Sequence, residues 1–222
     1  MIGMRFTDRR QAGRLLGEEI VALDLADPLV LALPRGGVPV GYEVARILGA
    51  QLDILMVRKI GAPGHEEYGI GAVVDGASPQ LVIDQNIARM VGADEAYISR
   101  EVDRQLAEIE RRRAIYRSGP PIPLKGRTVV VVDDGIATGG TVKASLQALR
   151  RSDAGRLILA VPVAPRSTLN ELSAMCDTVV CLMTPEPFYA VGAHYQDFGQ
   201  TDDAEVVQLL ADAKAWIKSS AK

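Results

Sequence analysis

The chain contains little of what a metal site or a disulfide framework requires. Its 222 residues include two cysteines, Cys176 and Cys181, and two histidines, His65 and His194. A structural zinc site needs more such residues at close spacing, so zinc binding is not expected. Both cysteines lie in or beside an apolar segment, which predicts two buried thiols in a reducing compartment.

Long apolar runs and concentrated positive charge are also missing. No run approaches the roughly 20 residues that cross a bilayer, and the N-terminus lacks the apolar core of a signal peptide. The formal net charge is −3 without a basic tail, which disfavours nucleic acid as a partner. We therefore expect a cytoplasmic protein without a membrane partner.

Short apolar runs alternate with helical stretches along the chain. Residues 29–33 and 129–132 are unbroken apolar runs, as in strands covered on both faces, and residues 39–48 and 141–151 are typical of helices. This alternation predicts an α/β fold with an open, mostly parallel twisted sheet and helices on both faces. The length fits one domain over residues 1–222.

Two segments are expected to extend this core. Residues 86–117 are strongly charged with an apolar stripe at helical spacing, which predicts a helical insertion of one or two helices. Its role is open between a scaffold, a dimer surface and a solvated helix on the core, so a homodimer is one option. Residues 184–203 are irregular and aromatic, and we expect them to form a small hood.

The region after the second predicted strand, 52–57, is harder to interpret. Residues 58–71 are rich in glycine, proline and charge, which predicts a loop. Apolar runs at 70–74 and 81–83 flank Asp75–Gly76, and this pattern predicts a hairpin.

The most informative stretch is residues 129–141, which read VVVVDDGIATGGT. A buried strand ends in two carboxylates, Asp133 and Asp134, at the edge where open α/β sheets bind ligands. Gly139 and Gly140 allow close approach of the backbone, and N–H groups at a helix start bind anions. Carboxylates are strong acceptors for the vicinal hydroxyls of a ribose. The pattern therefore predicts a phosphate cradle beside a sugar site.

This string resembles the phosphoribosyl pyrophosphate (PRPP) motif of type I phosphoribosyltransferases, and the pattern is closest to a bacterial branch of that family. The resemblance implies that Asp133 and Asp134 hold the ribose 2- and 3-hydroxyls. It implies that the turn after them binds the 5-phosphate through Ala137, Thr138, Gly139, Gly140 and Thr141.

Two further segments are similar to loops of the same family. Residues 33–37 (LPRGG) resemble its pyrophosphate loop, which implies pyrophosphate binding by Arg35, Gly36 and Gly37 and a cis peptide bond between Pro34 and Arg35.

Residues 57–69 resemble the mobile catalytic loop of the family, which implies that Arg58 and Lys59 reach pyrophosphate oxygens. His65 is open between proton transfer and a plain surface role. Glu66 and Glu67 stand where the better-known orotate-type loop has a further basic residue.

Residues 185–198 concentrate aromatic side chains in a chain that is only 5% aromatic. The resemblance places part of an acceptor site here. Two interpretations stay open: a surface that stacks on a planar base, or a small satellite core. The candidate acceptor residues are Phe188, Tyr189, Tyr195 and Phe198.

The resemblance implies an enzyme that transfers the phosphoribosyl group of PRPP to a nitrogen acceptor, with Mg²⁺ held mainly through PRPP itself. A nucleobase or a similar small planar molecule is the expected acceptor. The alternative is a PRPP-binding regulatory protein without turnover. A relative of the PRPP-making kinases is disfavoured, because those chains carry two such domains.

Overall fold

The computed structural model describes residues 5–75, 79–116 and 120–220. The strands are β1 (Pro28–Ala32), β2 (Gln51–Ile54), β3 (Val57–Ala62), β4 (His65–Val74), β5 (Gln80–Ile83), β6 (Thr128–Val132), β7 (Arg156–Val163) and β8 (Thr178–Met183). The helices are α1 (Arg9–Val21), α2 (Gly37–Leu48), α3 (Gln85–Met90), α4 (Glu95–Tyr116), α5 (Gly140–Arg150), α6 (Arg166–Ser173) and α7 (Asp203–Ser220).

Five strands form a parallel sheet in the order β2-β1-β6-β7-β8. This confirms the predicted α/β fold. The chain runs from β1 to β2 in one direction and from β6 through β7 to β8 in the other, so the strand order reverses between β1 and β6. Ala32 stands opposite Val132 at the carboxyl ends of these two strands. Open α/β sheets bind their ligands at such a reversal.

Hydrophobic burial on both faces explains why β6 occupies the centre of the sheet. Successive side chains of a strand point to opposite faces. Val130 and Val132 pack in a cluster with residues of α1, α2 and α7, whereas Val129 and Val131 pack in a second cluster with residues of α5 and α6. All five residues of β6 are buried, so this strand is a rigid base for the residues that follow it.

The predicted loop at 58–71 is wrong, because β3 and β4 form an antiparallel hairpin there. The predicted strand 52–57 is also two strands, with a break after Ile54. Glycine at strand positions concealed the pattern. A Cβ on Gly61 would lie 2.4 Å from the carbonyl oxygen of Glu66, so the strands approach too closely for a side chain.

The hairpin predicted around Asp75–Gly76 exists as the antiparallel pair β4–β5. Gly76 itself lies outside the described residues. The helical insertion is confirmed as α3 and α4, with predicted residue 117 also outside the described part. Helix α4 lies against β3 and α7 and buries Ile109.

The predicted hood contains a 3-10 turn at Val191–His194, and a bridge joins Phe6 to Tyr195. Cys176 is buried and Cys181 partly buried, and both are free thiols. In the described residues, no helix has the length and hydropathy to span a membrane. The single domain over residues 1–222 stays a prediction.

Candidate active site

Two loops meet where the strand order reverses. One follows β1 at residues 33–36, and the other follows β6 at residues 133–139. The N–H of Leu33 donates to the carbonyl oxygen of Val132 at 2.9 Å, so pairing of the strands continues into the loops. The two loops are therefore fixed side by side.

The carboxylate pair packs against glycines of the first loop. A Cβ on Gly36 would lie 2.1 Å from Oδ2 of Asp134, and a Cβ on Gly37 would lie 3.0 Å from Cα of Asp133. These glycines are required for close approach rather than for unusual backbone angles. The Pro34–Arg35 peptide bond is cis, as predicted.

Asp133 lines the large cleft of the molecule, together with the turn that follows. Its Oδ1 accepts from the backbone N–H of Asp134 at 2.9 Å. Burial raises the pKa of Asp133 well above its ordinary value, and the negative charge of Asp134 raises it further. Burial therefore opposes ionisation of this carboxyl.

Asp134 is held in place by hydrogen bonds from Arg9 and Tyr195. Its Oδ2 accepts from Nε of Arg9 at 2.8 Å, and its backbone carbonyl accepts from the hydroxyl of Tyr195 at 2.5 Å. Burial raises the pKa of Asp134, and the hydrogen bond and charge of Arg9 oppose that rise. Arg9 therefore favours the ionised form of Asp134.

Arg9 is itself fixed at both ends of its guanidinium. It donates from a terminal nitrogen to the carbonyl oxygen of Gly199 at 2.6 Å and lies 3.9 Å from the ring centre of Phe198. The sequence analysis missed Arg9. No local pattern pointed to Arg9, because its partner Asp134 lies 125 residues away in the chain.

The turn at 137–141 opens onto the cleft. Ala137, Thr138, Gly140 and Thr141 are exposed, and all five residues of the turn line the cleft. Gly139 adopts a positive φ of 76° directly before α5. A loop of this kind presents N–H groups at a helix start to an anion. The structure thus brings the predicted phosphate turn and Asp133 into one cavity of about 1090 Å³.

The hairpin places Arg58, Lys59 and His65, the residues predicted from the family's catalytic loop, in different surroundings. Lys59 lines the large cleft, whereas Arg58 lines a second, smaller pocket and donates from Nε to Gln105 at 3.0 Å. Adjacent strand residues face opposite sides, which explains the division. His65 is exposed at the start of β4 and lines neither cavity.

The four aromatic candidates lie in different environments. Tyr195 is 3% exposed and packs between Phe6 and Phe198, so no open face remains for a planar base. The guanidinium of Arg9 lies over the ring of Phe198. The partly buried Phe188 stacks on His194, with ring centroids 5.5 Å apart. Tyr189 is 83% exposed. The satellite-core interpretation therefore fits Tyr195 and Phe188, which pack in one small hydrophobic cluster, whereas Phe198 is 37% exposed and Tyr189 retains an open ring.

The fold and the site together define a protein of the phosphoribosyltransferase class. The family described as phosphoribosyl transferase domain matches residues 9–197, and the chain belongs to that family.

Among its relatives, a Mycobacterium tuberculosis protein provisionally named phosphoribosyl transferase is 44% identical over 206 residues, which cover 92% of this chain and 46% of the relative. The chain thus spans about half the length of the curated relatives that it matches first. The crystal structure of TT1426 from Thermus thermophilus is 45% identical, with a TM-score of 0.81 over 94% of this chain and 99% of that one. A ribose-phosphate pyrophosphokinase of Methanopyrus kandleri is 30% identical over 183 residues, or 70% of this chain and 61% of that protein.

Proposed function

We propose that this chain transfers the phosphoribosyl group of PRPP to a nitrogen atom of a small planar acceptor, such as a nucleobase, and releases pyrophosphate. Two carboxylates at the end of β6, of which Asp133 lines the same cleft as the exposed phosphate-type turn, carry this proposal. A cytoplasmic location, where such a donor is available, belongs to the same proposal.

The roles of the site residues follow from their chemistry. Asp133 and Asp134, when ionised, accept hydrogen bonds from the ribose 2- and 3-hydroxyls. The N–H groups and hydroxyls of residues 137–141 bind the 5-phosphate, and α5 contributes the positive end of its dipole. The sugar is thereby held at two ends, which fixes its anomeric carbon relative to the acceptor.

Transfer breaks the bond between C1 of the ribose and the pyrophosphate oxygen, and a bond from C1 to the acceptor nitrogen replaces it. Positive charge develops on the ribose as the bond breaks, and the carboxylates beside the sugar stabilise it. The departing pyrophosphate takes the electron pair of the broken bond, and Lys59 on the cleft wall offsets its negative charge. The attacking nitrogen loses its proton to water or to a base of the site.

Mg²⁺ is proposed as the companion of PRPP. In the described residues, no group of three His, Cys, Asp or Glu side chains is placed to hold a metal ion. Mg²⁺ retains water and binds mainly through substrate phosphates, and the oxygens of Asp133 and Asp134 are suitable hard donors beside them. When bound, the ion neutralises pyrophosphate charge.

A direct test is to incubate the protein with PRPP, Mg²⁺ and a pool of nucleobases and small amines. The proposal predicts pyrophosphate release that depends on the pool, and a product heavier than one acceptor by the phosphoribosyl group. Tight PRPP binding without a product would instead favour the regulatory alternative. Failure to bind PRPP at all would contradict both.

A further inference from the structure

A second pocket lies beside the large cleft and has a distinct chemical character. Its volume is about 70 Å³, against about 1090 Å³ for the large cleft. Thr141 and Val57 line both cavities, so the pocket adjoins the phosphate turn. It is lined by Leu33, Pro34, Arg35, Leu55, Met56, Val57, Arg58, Arg112, Tyr116 and Thr141.

Three arginines from separate parts of the chain converge on this pocket. Arg35 comes from the loop after β1, Arg58 from β3 and Arg112 from α4. These ten described lining residues include no carboxylate. A small concave site with three cations suits a compact anion, such as one phosphoryl group.

Contacts behind the pocket hold the arginines in place. Arg35 forms an ion pair with Asp203 at 3.6 Å, and Nε of Arg112 donates to Glu108 at 2.7 Å. Both carboxylates lie outside the lining of the pocket. A guanidinium has further N–H donors besides the one at Nε, so these contacts orient Arg112 without satisfying its whole donor set.

The end of α4 is anchored at the same place. Tyr116 is 6% exposed and its hydroxyl donates to Asp203, the first residue of α7. Arg112 lies one turn earlier on the helix and is 41% exposed. The helix is thus fixed beside the pocket, and the arginine stays accessible to a ligand.

We propose that Arg112 binds one phosphoryl group of the pyrophosphate of PRPP, so that the insertion helix α4 contributes a residue to the substrate site. This inference rests on the proposed function, because it presumes that PRPP occupies the cleft. It assigns α4 a part in substrate binding, in addition to the scaffold role considered for residues 86–117. Arg58 and Arg35 complete the same anion site.

Arg111 provides a matched control on the same helix. It also pairs with Glu108, at 2.8 Å, and it is more exposed, at 63%. It does not line the pocket. Arg111→Gln and Arg112→Gln therefore remove the same charge and an ion pair to the same carboxylate, and differ in access to the proposed ligand.

The experiment compares two ligands by calorimetry on the whole chain. PRPP with Mg²⁺ has the pyrophosphate group, and ribose 5-phosphate lacks it. We expect Arg112→Gln to weaken PRPP binding about 10- to 100-fold, the usual loss for a charged hydrogen bond, and to leave ribose 5-phosphate binding unchanged. Arg111→Gln should bind both ligands as the unaltered protein does.

Three outcomes would overturn the inference. Equal PRPP affinity for the two variants would remove Arg112 from the site and leave the proposed function intact. Equal weakening of both ligands by Arg112→Gln would indicate a general structural effect. Failure of the unaltered protein to bind either ligand would contradict the proposed function itself, and the inference with it.

Discussion

The charged residues around the proposed ribose position (the ribose wall) are held more firmly than those around the proposed pyrophosphate position (the pyrophosphate wall). On the ribose wall, the Arg9 and Asp134 side chains are 12% and 15% exposed, and each has partners on more than one element. On the pyrophosphate wall, Arg35 and Arg112 are 38% and 41% exposed. Under the proposed function, this comparison describes a preorganised sugar site beside a more exposed binding site for the leaving group.

Burial of Asp133 and Asp134 makes the stability of the fold depend on pH. A carboxyl whose pKa is raised in the folded state adds stability that is complete below the unfolded pKa. That stability is lost as the pH rises through the folded pKa. Asp133 and Asp134 are such groups, because burial raises the pKa of each. These two buried carboxylates therefore lower the stability of the fold at neutral pH.

Replacement of both carboxylates should have the largest effect. We expect Asp133→Asn with Asp134→Asn to lower turnover by roughly 10²–10³-fold, through loss of charge stabilisation at the ribose. In the single variant Asp133→Asn, which leaves the Arg9–Asp134 ion pair in place, the melting temperature at pH 8 should rise, since ionisation of that carboxyl no longer opposes folding. Pyrophosphate release and thermal unfolding measure the two effects. Asp103→Asn, on the exposed surface of α4, is the control and should change neither.

Gly36→Ala tests how closely the ribose wall is packed. The added Cβ would meet Oδ2 and Cγ of Asp134 at 2.1 and 2.7 Å. We expect it to lower the free energy of unfolding by about 1–3 kcal/mol, as overpacking does. Turnover should fall about 10- to 100-fold, because a displaced carboxylate misaligns the sugar.

Introducing Gly36→Ala into an Asp134→Ala variant tests which contact causes the loss of stability. If the clash is with the Asp134 side chain, the added cost of Gly36→Ala should largely disappear in denaturant unfolding. An undiminished cost would mean that another contact is responsible.

Arg9→Gln should have an intermediate effect. We expect PRPP binding at neutral pH to weaken about tenfold, the loss for one charged hydrogen bond. Arg9 lowers the pKa of Asp134, so without it that pKa rises and binding should decline at a higher pH on acidification. A pH series of PRPP affinities measures this shift. Arg10→Gln, which alters a neighbouring and more exposed arginine, should leave the profile in place.

The smallest effect is expected for Tyr195→Phe. The change removes the hydroxyl that donates to the carbonyl of Asp134, at a cost of about 1 kcal/mol. For a chain of this size that lowers the melting temperature by about 2–4 °C. The KM for an acceptor should not change, because the ring is buried. A large change in that KM would restore the base-stacking role for Tyr195.

The sequence was informative where the site is continuous in the chain. Asp133, Asp134 and the turn at 137–141 follow one buried strand, so a single stretch carries both the local pattern and the ligand chemistry. Residues 33–37 are recognisable for the same reason. The alternation of strands and helices was sufficient for the class of fold.

The parts of the structure that the sequence did not predict depend on contacts between segments far apart in the chain. Arg9 and Asp134 are 125 residues apart in the chain, and Tyr195 is 61 residues from Asp134. A pattern within one short stretch of sequence cannot show that two such distant residues pair. The β3–β4 hairpin was concealed because Gly61 replaces a side chain where the strands come close. Arg112 reaches the small pocket only because α4 packs against β3.

The proposed function requires that the carboxylate pair faces a ribose while the following turn binds its phosphate. A crystal structure with ribose 5-phosphate bound tests it most directly. We expect carboxylate oxygens of Asp133 and Asp134 to lie about 2.5–3.0 Å from the 2- and 3-hydroxyl oxygens, with the phosphate against the N–H groups of residues 137–141. A sugar phosphate bound elsewhere, or in the reverse orientation, would contradict it.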